Sequence, residues 1–211
     1  MSFEFTNRPR RLRGNEVLRS MTLENKLSTK DLVLPVFISD EIRSPEEINS
    51  MPGVFCWPAV QIVDQVDKWV ALGIQAFAIF PKIDPKKKTI NGKECLNPKS
   101  LVYEVGRLIK SNFSQVCLIG DLALDPYTSH GHDGILNGDG YVENDNTVEI
   151  LAKASILAAS AGYDVLAPSD MMDGRVGIIR SYLEKNGFTE TCIMSYAAKF
   201  CSSYYGPVSY T

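Results

Sequence analysis

Apolar residues along this chain come in short dense runs, and each run is followed by a stretch in which they recur at helical spacing. The run DLVLPVFISD (31–40) is rich in β-formers and bounded by charges, which predicts a fully buried parallel strand. The next segment, SPEEINSMPGVFCWP, is punctuated by Pro45, Pro52, Gly53 and Pro58 and reads as a loop. Val60, Val63, Val66 and Val70 then repeat near helical spacing over 59–73, with Gly73 suited to the position just past a helix end. The cycle recurs with IQAFAIFP as strand, a lysine-rich loop, and SLVYEVGRLIKSN as a helix with Ser100 as its cap. SQVCLIGDLAL, DVLAPSD and TETCIMSYAAKF are three further strands. The long alanine-rich segment 144–163 and the segment MDGRVGIIRSYLEKNGF are the helices between them.

Strands alternating with helices in units of roughly 25–45 residues predict a parallel α/β fold. No G-x-G-x-x-G follows the first strand, so a dinucleotide-binding sheet loses ground. Polar residues collect where strands end: Asp121, Asp125, Ser169, Asp170 and Lys199. That placement is the catalytic face of a TIM-type (β/α)8 barrel. Such a barrel takes eight strands and typically ~250 residues, and about five β/α units are read here, so the expectation is an incomplete barrel with open edges. Residues 1–30 follow neither period. NRPRRLRG is too charged and proline-interrupted to enter a core, and predicts an extended arm ahead of a partial barrel domain over 31–211.

Composition narrows the function classes. The chain has 211 residues, enough for one domain with a substantial core, and a net charge of −3 that points to neither nucleic acid nor a membrane surface. No apolar run approaches the ~18 residues of a membrane span, and the basic N-terminus lacks the apolar stretch of a signal peptide. The 5 cysteines are scattered with no C-x-x-C pair, as expected of reduced thiols in a cytoplasmic protein.

Candidate chemistry concentrates in GDLALDPYTSHGHDGI (120–135), which holds Asp121, Asp125, Asp133 and both histidines of the chain, His130 and His132. His130-x-His132 is similar to the His-x-His of metal-dependent amidohydrolases, but those sites need histidines this chain does not have. A zinc site would find no thiolate, and carboxylates with water would suit Mg²⁺. The alternative is a polar loop whose Asp and His side chains make turns and caps. Lys199 ends an apolar strand. There it is either partly desolvated, and so a neutral nucleophile able to form a Schiff base, or a lysine that snorkels into water. Asp173 is expected to cap the helix that follows. Arg175 in its first turn either meets an anionic partner or pairs with Asp170 or Asp173. Lys86, Lys87 and Lys88 read as a solvated loop.

Taken together, NRPRRLR, LVLPVF, SMPGV, DPYTSHGHDGI, APSDMMDGRV and IMSYAAKF with SSYYGP closely resemble the porphobilinogen synthase (5-aminolevulinate dehydratase) family. The resemblance implies a β/α barrel with an N-terminal arm, a homo-oligomer in which arms wrap neighbouring subunits, and condensation of two 5-aminolevulinate molecules. It matches Lys199 to a Schiff-base lysine and Asp121 to an aspartate that faces the substrates. Ser169 corresponds to a serine near the first substrate's carboxylate, and Tyr205 to a tyrosine bordering that pocket. In zinc-dependent members three cysteines stand at the positions of Ala123, Asp125 and Asp133. Two carboxylates and a methyl in their place imply the aspartate-rich type without catalytic zinc, in which Asp125 and Asp133 serve the second substrate.

Two departures accompany the resemblance. The family's Phe-Arg after Tyr-Gly-Pro, whose arginine holds a substrate carboxylate, is Val208-Ser209 here. No Val-Lys-Pro segment carrying a second lysine is present. The expectation is therefore a C-terminally shortened member, either a porphobilinogen synthase by ancestry or a catalytically incomplete remnant. The residues that bind allosteric Mg²⁺ in this branch are expected to lie beyond the chain.

Overall fold

The computed structural model describes residues 6–198. A single sheet of 7 strands organises them, in the order β2-β3-β1-β4-β5-β6-β7. In chain order these are β1 (Val33–Ser39), β2 (Glu46–Glu47), β3 (Phe55–Pro58), β4 (Ala76–Pro81), β5 (Cys117–Leu122), β6 (Val165–Pro168) and β7 (Cys192–Ile193). All pairings are parallel except the short antiparallel β2–β3 pair. The helices are α1 (Glu16–Met21), α2 (Ile62–Ala71), α3 (Leu101–Asn112), α4 (Asn144–Ser160) and α5 (Arg175–Lys185).

Strand side chains alternate between two faces. Val36, Ile38, Phe77, Ile79, Leu118 and Leu166 point to the helix side and form the main core. The helices meet them with the stripes their periodicity dictates: Ile62 and Val66 on α2, Val102, Val105 and Ile109 on α3, Ile179 and Leu183 on α5. On the opposite face Ala78, Ile119 and Ala167 make a smaller cluster joined by Phe80, Cys117 and Val165. Two-sided burial is why these strands read as continuous apolar runs.

Four expectations need correction. The segment predicted as a loop between β1 and α2 contains β2 and β3, and β3 pairs with β1 from Phe37 to Ser39, so β1 is not an open edge. Pro52 and Gly53 do mark a turn, with Gly53 at φ 82, but Phe55, Cys56 and Trp57 beyond it suit a half-buried strand. The last strand is short. Beyond β7 the chain nevertheless continues the ladder, with Met194 N–H donating to Leu166 O (2.8 Å) and Tyr196 N–H to Pro168 O (3.2 Å). Asp173 does not cap α5. Gly174 occupies that position at φ 76, and Asp173 N–H instead donates to Asn144 Oδ1 (2.7 Å), tying the loop to the start of α4. Ser100 does precede α3, but its hydroxyl makes no capping bond.

The predicted arm stays outside the core: through residue 32 the described residues are exposed apart from the half-buried Leu18. Besides 3-10 turns at Pro9–Arg13 and Thr29–Asp31 it holds one short α-helix, α1, capped by Asn15 through a 2.9 Å bond from Leu18 N–H.

Candidate functional site

The alternation that builds the sheet also aims the candidate residues. Cys117, Ile119 and Asp121 share the face turned away from the helices, and Asp121 lies in register with Ala167 of β6. Ser169 is two residues further along the same row, held by its N–H to Leu122 O (3.2 Å). Asp121, Asp125 and Ser169 converge on one hollow of about 500 Å³ at the C-terminal ends of the strands, where Lys88 joins them. Phe37, Phe80, Pro126 and Tyr196 supply its apolar walls. The Phe37 and Phe80 rings stack with centroids 5.5 Å apart across the β1–β4 pair. Lys199 and Tyr205 lie outside the described residues. The segment that follows β7 reaches the hollow at Tyr196.

Asp133 is separated from this group. It is only 5 % exposed and is not part of the hollow's lining, whereas Asp125 is exposed. The loop folds back on itself through Leu124 N–H to Asp133 O (3.3 Å) and Thr128 Oγ1–H to His132 O (2.8 Å), which leaves Asp133 beneath it. The structure thus brings Asp125, and not Asp133, to the lining of the hollow.

Both histidines are engaged by that backbone. His130 Nδ1 accepts from His132 N–H (3.1 Å), so its neutral ring carries the proton on Nε2, which faces Ile90 O at 3.0 Å. His132 Nδ1 accepts from Gly134 N–H (3.0 Å). The same nitrogen lies 2.9 Å from Asp133 Oδ1, but with its lone pair occupied it has no proton to give that carboxylate. Ala123, Asp125 and Asp133 offer a methyl and two carboxylates, a donor set that does not fit Zn²⁺. Among the described residues no group of three or more His, Cys, Asp or Glu side chains is arranged to hold a metal ion.

Behind the loop, Asp170 is completely buried and Arg175 is its ion-pair partner, Nε to Oδ2 at 3.3 Å. Arg175 also donates to Met172 O (3.0 Å), so the helix-start arginine serves the fold and not the hollow. Burial pushes the Asp170 carboxyl up to about 6, against the opposing pull of Met172 N–H and Arg175 and with help from the nearby Asp133 charge. Cys95 is pushed up to about 12, chiefly by burial, which makes it an inert thiol.

The lysine loop divides its three charges. Lys86 is exposed, Lys87 pairs with Asp40 at 2.7 Å, and Lys88 turns to the hollow. Reading all three as solvated missed Lys88, and no local pattern distinguishes it from its neighbours. Phe37 and Phe80 were also missed, although strict alternation places them opposite the core-facing Val36 and Ile79.

Comparison with known proteins agrees with this geometry. The family model described as Delta-aminolevulinic acid dehydratase matches residues 6–209. The delta-aminolevulinic acid dehydratase of Bradyrhizobium diazoefficiens is 45% identical over 200 residues, which cover 95% of this chain and 56% of that protein. The Chlamydia pneumoniae protein of the same name is 43% identical, with 98% of this chain and 62% of its own length covered. The chain therefore spans little more than half the length of these curated relatives. A crystal structure of the Toxoplasma gondii delta-aminolevulinic acid dehydratase (porphobilinogen synthase), in complex with the reaction product porphobilinogen, superposes with a TM-score of 0.92. That protein is 40% identical, and the match covers 97% of this chain and 58% of that one.

Proposed function

Since the chain belongs to the delta-aminolevulinic acid dehydratase family, we propose that it acts in the condensation of two 5-aminolevulinate molecules to porphobilinogen with loss of water, as a lyase of tetrapyrrole and heme synthesis. The observation that carries this reading is the convergence of Asp121, Asp125 and Ser169 on one hollow at the strand ends of a partial β/α barrel. Lys199, which the resemblance matches to the family's Schiff-base lysine, is in this reading the amine that adds to the substrate ketone and loses water to form a Schiff base.

Asp121 and Asp125 hold the substrate's ammonium group or take protons during carbon–carbon and carbon–nitrogen bond formation, and Ser169 and Tyr205 border the carboxylate. Asp133, buried beside His132, is assigned to the second substrate with Asp125 on the strength of the resemblance. No zinc takes part, because the positions that would need thiolates carry Ala123, Asp125 and Asp133.

The finer cellular reading follows the same line. No helix among the described residues is long and apolar enough to cross a membrane. Cys56, Cys95, Cys117 and Cys192 are free thiols, which supports a reducing cytoplasm. Leu12, Val17, Met21, Leu23 and Leu27 of the arm are exposed, which supports a homo-oligomer whose arms (1–30) cover a neighbouring barrel domain (31–211).

Pyrrole formation from 5-aminolevulinate, followed with an aldehyde colour reagent, tests the reaction. Product should accumulate with the wild-type chain and fall at least a hundredfold in Asp121→Asn, an effect on the order of one essential proton-transfer group. Equal product from both proteins would remove Asp121 from the mechanism, and no product from either would contradict the assigned reaction.

A further inference from the structure

The hollow's described charges are two carboxylates and one ammonium: Asp121, Asp125 and Lys88. The loop bearing Lys88 is tied on both sides of it. Before it, Lys87 Nζ pairs with Asp40 Oδ2 at 2.7 Å, anchoring the loop to the end of β1. After it, Thr89 forms a parallel bridge with Thr128: Thr89 N–H donates to Tyr127 O (3.1 Å), and Ser129 N–H donates to Thr89 O (3.0 Å). Lys88 N–H itself donates to Pro85 O (3.2 Å). The lysine backbone is therefore fixed across the mouth, between the first strand and the aspartate loop. Its ammonium makes no ion pair or hydrogen bond among the described residues, although it lines the same hollow as two acids.

We propose that Lys88 is a specificity-determining residue of this site, the cation that receives a carboxylate of the amino-keto-acid substrate. The inference rests on the substrate class proposed above. An amino keto acid carries opposite charges at its two ends, and the lining of this hollow offers both signs, with carboxylates on β5 and the following loop and an ammonium on the loop after β4. The stacked Phe37 and Phe80 rings offer an apolar wall for the methylene groups. Neighbouring lysines cannot substitute, since Lys87 is committed to Asp40 and Lys86 is not part of the lining. An ammonium meets a carboxylate as a point charge, so arginine at this position retains the attraction and methionine keeps the stem but not the charge.

Titration calorimetry with two non-reacting probes tests this on the whole chain: levulinate, which is the substrate skeleton without its amine, and levulinate methyl ester. Both carry the ketone that meets Lys199, so only the response to the carboxylate differs. Lys88→Met is expected to weaken levulinate binding about tenfold, the size of one charge-assisted contact at a half-exposed site. Ester affinity should stay as in wild type. Lys88→Arg should restore most of the levulinate affinity, and Lys86→Met should match wild type for both probes. Equal affinities of Lys88→Met and wild type for levulinate, or a parallel loss for acid and ester, would overturn the role of Lys88 and leave the proposed reaction standing. Failure of the wild-type chain to bind either probe or 5-aminolevulinate would overturn both.

Discussion

Asp170 Oδ2 lies 3.3 Å from Arg175 Nε in a setting where the aspartate has no exposed surface at all. Burial outweighs the arginine, and the carboxyl titrates near 6 against an ordinary value of 3.8. The folded state therefore holds this proton more tightly than the unfolded chain does. The stability Asp170 contributes is fully present below the unfolded value and is lost as pH rises through about 6. Asp170→Asn, which keeps an acceptor for Met172 N–H, should flatten the decline in Tm between about pH 4 and pH 7. Thermal scans at several pH values check this, and an unchanged slope in the variant would assign the decline to other groups.

Tyr163 is packed between two glycines. A Cβ at Gly106 of α3 would come within 2.5 Å of its Cε2, and one at Gly120 of β5 within 3.0 Å of its Cδ1. The ring is buried and cannot retreat, because its hydroxyl donates to Val102 O at 2.9 Å. Gly106→Ala should destabilise the fold by about 1–3 kcal/mol through overpacking, despite the higher helix propensity of alanine. Tyr163→Phe, which loses one buried hydrogen bond while Val102 O keeps its place in the α3 ladder, should cost about 1 kcal/mol. Urea titrations of both variants measure these differences.

The zinc-free reading has its own consequence. Dialysis against a strong chelator should leave both folding and the yield of substrate adduct unchanged, because Ala123, Asp125 and Asp133 supply no soft ligand. A loss of adduct that zinc alone restores would place a functional zinc site in the protein.

How much of this was visible beforehand differs from element to element. The strands β4, β5 and β6 announce themselves because both their faces are covered and the apolar runs are continuous, whereas β1 shows the same apolar run with Val33 and Pro35 exposed on its second face. Asp121, Asp125 and Ser169 could be grouped because strand ends in a parallel sheet open on one side. Asp133 could not be placed that way, since its position depends on a backbone bond from Leu124 that folds the loop over it. Lys88 was hidden for a similar reason: a run of three lysines carries no period, and only the pairing of Lys87 with Asp40 and the Thr89–Thr128 bridge separate it from its neighbours. β3 was missed because prolines on either side outweighed three strand-forming residues in the reading.

The most direct test of the central claim is reductive trapping. The chain is incubated with 5-aminolevulinate and borohydride, and the product is read by intact mass and peptide mapping. The account predicts one substrate adduct, carried on Lys199. A folded sample that gains no adduct, or gains it on a different lysine, would contradict Schiff-base chemistry at Lys199.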